Sequence, residues 1–162
     1  VTDPAEERNT AAPARLRSLP TRLLSLVTMH SDRIVTEGLA GADARKWHYA
    51  VLATLEEAGP ASQAELSRRT GVYRSDLVSV INELSARGLV ERAPDPGDRR
   101  RNVITLTGAG RDRLRRLDAL LGSLADEVLA PLDAAERDQL TALLTRLLDH
   151  HGGHAGGHSA PG

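Results

Sequence analysis

Hydrophobic positions along this chain recur mostly at helical spacing, and one short stretch departs from it. From Pro20 to Glu37, the residues Leu23, Leu26, Val27, His30 and Ile34 line one face of a predicted helix, with Pro20 in its first turn. Gly38 to Gly41 reads as a break. Asp43 is placed to cap a second helix ending near Ala58, with Trp47, Ala50, Val51, Thr54 and Leu55 inward, and Gly59-Pro60 stops it. Ser62 with Glu65 three positions later has the form of a capping box, so a short helix starts at about Ser62. Gly71 allows a sharp turn. Beyond it, Leu77, Val80, Ile81 and Leu84 fall at i, i+3, i+4 and i+7, a single buried stripe, and Gly88 ends this helix as a C′ residue.

The period then changes. Leu89 to Ala93 and Asn102 to Leu106 are short and β-branched-rich enough to pair as strands. Pro94-Asp95-Pro96-Gly97-Asp98 between them is turn chemistry, and Arg99-Arg100-Arg101 makes a compact positive tip. Helical spacing returns at Thr107, which opens a long helix to about Leu129 whose Leu114, Leu117, Leu121, Leu124 and Val128 form a narrow seam. Pro131 interrupts. Asp133 and Glu136 form a second capping box, and a last helix runs to about Asp149 with Leu140, Leu143, Leu144, Leu147 and Leu148.

The fold class is therefore mostly α with a small β-wing. Helix, turn, helix and β-ribbon in that order is the plan of a winged helix-turn-helix, whose second helix enters a DNA major groove. The winged part spans residues 42–107, flanked by helices over 15–41 and 108–150. Residues 1–14 read as a flexible arm, and 151–162 as a Gly/His-rich tail without structure. The flanking helices carry more leucine than a winged domain of this size needs. Two coverings are open: they complete the monomer's own core, or the first and last two helices of two copies interlock as a homodimer.

Composition sharpens this reading. Residues 66–116 hold 12 Arg against 6 acidic residues, a net +6, while the remainder holds 9 basic and 16 acidic residues, a net −7. Positive charge gathered on the segment proposed to meet phosphate is the footprint of a nucleic-acid face. The absence of cysteine removes disulfides, zinc–thiolate sites and thiol-based oxidation sensing. No apolar run is long enough to span a bilayer and the N-terminus is not a signal peptide, so a cytoplasmic location is expected.

Candidate DNA contacts are Ser62 and Gln63 at the start of the first motif helix; Arg74, Ser75, Val78, Ser79 and Asn82 on the polar face of the second; and Asp98, Arg99, Arg100 and Arg101 at the wing tip. Small or polar groups are able to lie against base edges. For a small aromatic or carboxylate effector, His30, Arg33, Trp47 and His48 are the candidates, a ring face beside an imidazole and a guanidinium. Each also has a plain packing explanation. His150, His151, His154 and His158 in the tail have the composition of a weak, unselective metal tract, and a solvated tail explains them better. No metal site, cofactor or catalytic set is expected, because there is no Gly-rich phosphate loop and no Ser/His/Asp set with interpretable spacing.

Several of these residues carry a resemblance to a known family. Gly71-Val72, Leu84, Gly88-Leu89-Val90-Glu91-Arg92, the wing residues Asp98-Arg99-Arg100 and the following Leu106-Thr107 resemble the multiple-antibiotic-resistance-regulator (MarR) family of bacterial transcription factors over about residues 15–150. The resemblance implies a homodimer on a palindromic operator, and the favoured reading is a sequence-specific regulator, a repressor rather than an activator. It also implies an Arg at position 100 that enters the minor groove, an Asp at position 98 that braces it, and effectors lodged between the dimer helices and the winged domain. One departure stands out: where many relatives carry a basic residue, this chain has Val78 and Ser79. Base preference is therefore not transferable. Two other readings compete with the regulator: an architectural DNA binder insensitive to ligand, and a winged-helix protein-interaction module.

Overall fold

In the computed structural model, residues 11–152 are described. Most of the expected N-terminal arm, and the tail from residue 153 with His154 and His158, lie outside the described residues. The chain divides after Leu124 into two compact units. The first holds α1 (Ala14–Arg17), α2 (Pro20–Gly41), α3 (Lys46–Ala58), β1 (Ala61–Ser62), α4 (Gln63–Thr70), α5 (Arg74–Ala86), β2 (Val90–Pro94), β3 (Asn102–Leu106) and most of α6 (Gly108–Val128). The second holds the end of α6 and α7 (Ala134–Gly152).

The core of the first unit lies beneath the winged part. Val51, Leu52 and Leu55 of α3, Leu66 of α4, and Leu77, Val80, Ile81 and Leu84 of α5 are buried together with Val90, Ile104 and Leu106 of the sheet. The stripe read in α5 is the stripe that packs. The sheet is antiparallel in the order β1-β3-β2. Sequence reading did not anticipate β1, a two-residue strand that sets Ala61 opposite Ile104 and Ser62 opposite Val103. It anchors the start of α4 to the wing.

Three expectations need correction. The break at Gly38 to Gly41 does not occur, because α2 runs on through Gly41. A Cβ at Gly38 would stand 2.5 Å from Leu124 Cδ2, so the glycine serves close helix packing, and Leu39 beside it is buried. Asp43 is not the cap of α3. It adopts a left-handed φ of 52°, and its carboxylate pairs with Arg87 at 3.1 Å. Nor does Trp47 face inward: it is 44% exposed. The helix is turned by one position, so that His48, Val51, Leu52 and Leu55 form the buried i, i+3, i+4, i+7 stripe.

The α6 seam belongs largely to the chain's own packing. Leu114, Leu117 and Leu124 are buried, and Leu121 packs half-buried against the core. Tyr49 and Arg111 add ties between α3 and α6, through Asp118 at 2.8 Å and Glu56 at 3.1 Å. The Tyr49–Asp118 bond, reinforced by burial, raises the phenol's pKa above its ordinary value.

The second unit is opened by the expected capping box. Asp133 N–H donates to Glu136 and Glu136 N–H donates to Asp133, each at 2.9 Å. Arg137 closes the turn through Asp126 at 2.5 Å. No residue of α7 is buried; Leu143 and Leu147 are exposed, and Leu148 is 72% exposed. In the first unit, Leu23, Leu24, Val27 and Met29 of α2 are likewise exposed.

Candidate nucleic-acid interface

The helix-turn-helix is built by local chemistry. Ser62 caps α4, its hydroxyl accepting from Glu65 N–H at 3.2 Å. The box is only half closed, because the Glu65 carboxylate turns to Arg69 at 2.8 Å. Gly71 takes φ 72°, ψ 5°, a left-handed conformation that a side chain disfavours, and the chain turns there into α5. At the far end of α5, Gly88 has φ 69°, and Leu89 N–H closes back on the Leu84 carbonyl at 2.9 Å.

The polar face of α5 is open. Arg74, Ser75, Val78, Ser79 and Asn82 are all exposed. Tyr73, immediately before the helix, is 79% exposed. It is not among the sequence candidates, and its exposed ring and hydroxyl stand at the start of the same open face. Two of the face residues have their own partners. Ser79 Oγ donates to Glu83 Oε1 at 3.2 Å, and Asn82 Oδ1 accepts from Arg92 of β2 at 2.5 Å.

The wing is a regular hairpin, Val90 opposite Leu106 through to Pro94 opposite Asn102. Two aspartates shape its tip. Asp95 Oδ1 accepts from Gly97 N–H at 2.8 Å, and Asp98 Oδ1 accepts from Arg100 N–H at 3.0 Å, each two residues on in the manner of an Asx turn. Asp98 therefore braces the backbone of Arg100, while its other oxygen lies 3.7 Å from Arg101 Nε. The side chains of Arg99 and Arg100 make no hydrogen bond or ion pair among the described residues, and both are exposed.

A cleft of about 600 Å³ joins these parts. It is lined by Ser62, Gln63 and Ala64 from α4 and its cap, Arg74 and Val78 from α5, and Arg101 and Asn102 from the wing. Five of the seven lining residues are among the sequence candidates. The effector candidates do not gather in this way. His48 is buried, 4% exposed, and lines a separate cleft of about 270 Å³ with Ala40, Asp43, Ala44, Arg45, Glu83 and Arg87. Trp47, His30 and Arg33 do not line that cleft. No cluster of three or more potential metal ligands occurs among the described residues.

Two helices joined by a left-handed glycine, the second followed by a paired ribbon with an arginine tip, define a winged helix-turn-helix. The MarR family model matches residues 38–101. The multiple antibiotic resistance protein MarR of Escherichia coli is 30% identical over 128 residues, covering 78% of this chain and 89% of that protein. The chain belongs to the MarR family of transcriptional regulators, and is not an enzyme. It is also similar to the transcriptional repressor NicR of Pseudomonas putida, 34% identical over 101 residues, a match that spans 62% of this chain and 64% of NicR's length. Among solved structures, a mutant of E. coli MarR complexed with operator DNA superposes with TM-score 0.68 at 28% identity, covering 85% of this chain and 99% of the other. PcaV of Streptomyces coelicolor, in complex with its natural ligand, gives TM-score 0.68 at 28% identity over 85% and 97%. No helix among the described residues is long and apolar enough to cross a membrane.

Proposed function

We propose that this protein is a homodimeric repressor that binds a pseudo-palindromic operator, with α5 in the major groove and the wing arginines in the minor groove, and that a small ligand releases it. The observation that carries the DNA reading is the cleft that brings the α4 cap, the polar face of α5 and the wing base together beside a cationic tip. Arg99 and Arg100 are uncommitted, and guanidinium groups are drawn to narrow, strongly negative minor grooves. Affinity then comes largely from phosphate neutralisation and falls steeply with salt.

Dimerisation is supported by the exposed leucines of α7 and the exposed apolar face of α2. Two-fold symmetry would set two reading helices roughly 34 Å apart, one helical turn of DNA. The ligand step is supported by NicR and PcaV, one a named repressor and the other solved with a natural ligand. A ligand acts here only as far as it prefers one spacing of the reading helices over another.

The test is selection from a random duplex pool by the purified protein at physiological salt. A palindromic motif with half-sites about one turn apart is the expected result. Enrichment without a motif would replace this reading with the architectural one, and no retained DNA would leave the protein-interaction module.

A further inference from the structure

A buried polar cluster joins α3 to the reading helix. His48 stands on the buried stripe of α3, among Val51, Leu52 and Leu55. Its ring nitrogens are both engaged: Nδ1 accepts from Arg45 N–H at 3.2 Å, and Nε2 lies 2.8 Å from Glu83 Oε2 on α5, with Arg45 Nη2 farther off at 3.5 Å. A ring nitrogen that accepts from an amide carries no proton, and a carboxylate only accepts, so the proton sits on Nε2. Glu83 is also forked by the Arg45 guanidinium, at 2.5 and 2.6 Å to its two oxygens. The same Oε1 receives the hydroxyl of Ser79, on the exposed face of α5.

We propose that His48 is a positioning residue for DNA reading: as a neutral imidazole protonated at Nε2 it fixes the Glu83 carboxylate, and Glu83 in turn sets Ser79 and the rotation of α5. This rests on the operator-binding reading above. Burying an imidazole on a core stripe costs desolvation that an aliphatic side chain avoids, a cost offset only by the bonds its two nitrogens make. A second ring proton would face the Arg45 amide, donor against donor, and would break this capping bond at the start of α3. The charged groups around the ring are Arg45 beside it, Glu83 and Arg87 from α5 and its C-cap, and Asp43 from the preceding loop, with Arg113 of α6 donating to the carbonyls of Ala42 and Asp43. Burial first, then the Arg45 and Arg87 charges, hold the imidazole below its ordinary pKa against the pull of Glu83.

Glutamine reproduces the pair, because its oxygen and amide nitrogen bear the same one-three relation as the two ring nitrogens, and it does not titrate. The experiment measures binding to the duplex selected by the wild-type protein, for wild type, His48→Gln and His48→Leu, from about pH 8 to about pH 5.5. Nitrogen chemical shifts of the wild-type imidazole report its tautomer. His48→Gln should bind within about twofold of wild type near neutrality, with a flatter pH profile. His48→Leu should bind about tenfold more weakly, the loss expected of a charge-assisted bond, while melting no lower than wild type. Wild-type affinity should fall toward the acid end. Equal binding by His48→Leu, or a tautomer protonated at Nδ1, overturns the inference. Should His48→Leu fail to fold, the comparison of the wild-type and His48→Gln pH profiles decides, and identical slopes overturn it. If the wild type selects no duplex at all, the regulator reading fails and takes this inference with it; equal binding of one selected duplex by all three proteins sinks this inference alone.

Discussion

Gly110 tests the junction between the wing and α6. Thr107 organises it: its Oγ1 donates to the Gly88 carbonyl at 2.7 Å and accepts from Gly110 N–H at 3.0 Å, while its own N–H bonds the Leu89 carbonyl at 3.2 Å. A Cβ at Gly110 would overlap the Leu89 carbonyl oxygen, stand 3.1 Å from its carbon and lie 2.6 Å from Leu106 Cδ1. The side chain can move, but the carbonyl cannot without giving up its bond from Thr107. Overpacking of this kind costs roughly 1–3 kcal/mol, and the displaced backbone bond about 1 kcal/mol more. Helix propensity returns at most about 1 kcal/mol for Ala over Gly, so the clash wins. Gly110→Ala should lower stability by roughly 1–3 kcal/mol, which for a chain of this length is a fall in Tm of about 2–12 °C. Gly122 on the same helix has nothing within 4 Å of its Cβ position, so Gly122→Ala should hold or raise Tm. The assay is thermal unfolding of the three proteins at one concentration, because association shifts Tm. A Gly110→Ala protein that melts with or above wild type refutes the close approach of α6 to the wing.

Arg100→Ala should weaken operator binding by roughly 1–3 kcal/mol and flatten its salt dependence by about one phosphate equivalent, measured by fluorescence anisotropy in a salt series; unchanged affinity removes the wing from the interface. Leu143, Leu147 and Leu148, replaced together by Lys, should yield monomers in sedimentation while helicity persists, since all three are exposed on this chain; a dimer that survives places the contact elsewhere. Stability should fall as pH drops below about 6.5, the ordinary imidazole value, because the unfolded chain takes up a proton that buried His48 resists. That loss ceases below the folded-state pKa, and a further loss follows at more acid pH from Glu83, held below its usual range first by His48 and then by Arg45. Urea midpoints from about pH 8 downward measure both, and a flat profile between about pH 6.5 and 5 means that His48 titrates as if exposed.

The reading stretch was legible because its signals are local. Gly71, Gly88, the Ser62 cap and the stripe from Leu77 to Leu84 each act within one or two turns, and each stands in the structure where the sequence puts it. Legibility failed where the deciding partner is distant in sequence. Gly38 looks like a helix breaker until Leu124 is seen packing on it, 86 positions away. Trp47 looks like the inward residue of α3 because it is large and apolar. The helix is turned instead to bury Val51, Leu52 and Leu55 against residues of α4, α5 and the sheet, which brings His48 rather than Trp47 inward, opposite Glu83. The leucine seam of α6 has the spacing of a helix packed lengthwise against other helices, and Leu114, Leu117 and Leu121 find that packing in this chain's own core while Leu124 lies over Gly38. Spacing gives the face of a helix. It does not give the owner of the neighbour.

The polar ties on α5 also limit where base preference can arise. Asn82 and Glu83 are adjacent at the C-terminal half of the helix and are held from two sides, Asn82 by Arg92 of the wing strand and Glu83 by His48 of α3 and Arg45 at its N-cap. Those bonds set the helix between wing and scaffold, using one of the two lone pairs of the Asn82 carbonyl oxygen and the Ser79 hydroxyl proton. A bidentate grip on adenine by Asn needs that oxygen as well as the amide group. On the operator reading, Asn82 and Ser79 meet the bases in orientations fixed by these ties, while Arg74, Ser75 and Val78 in the N-terminal half, of which Arg74 alone carries charge, have no partner to surrender. Val78 can press only on a thymine methyl or exclude a polar edge. A recognition face so short on strong donors leaves much of the affinity to Arg99, Arg100 and the phosphates, and makes the shape of the minor groove under the wing a larger part of the sequence preference than the bases under the helix.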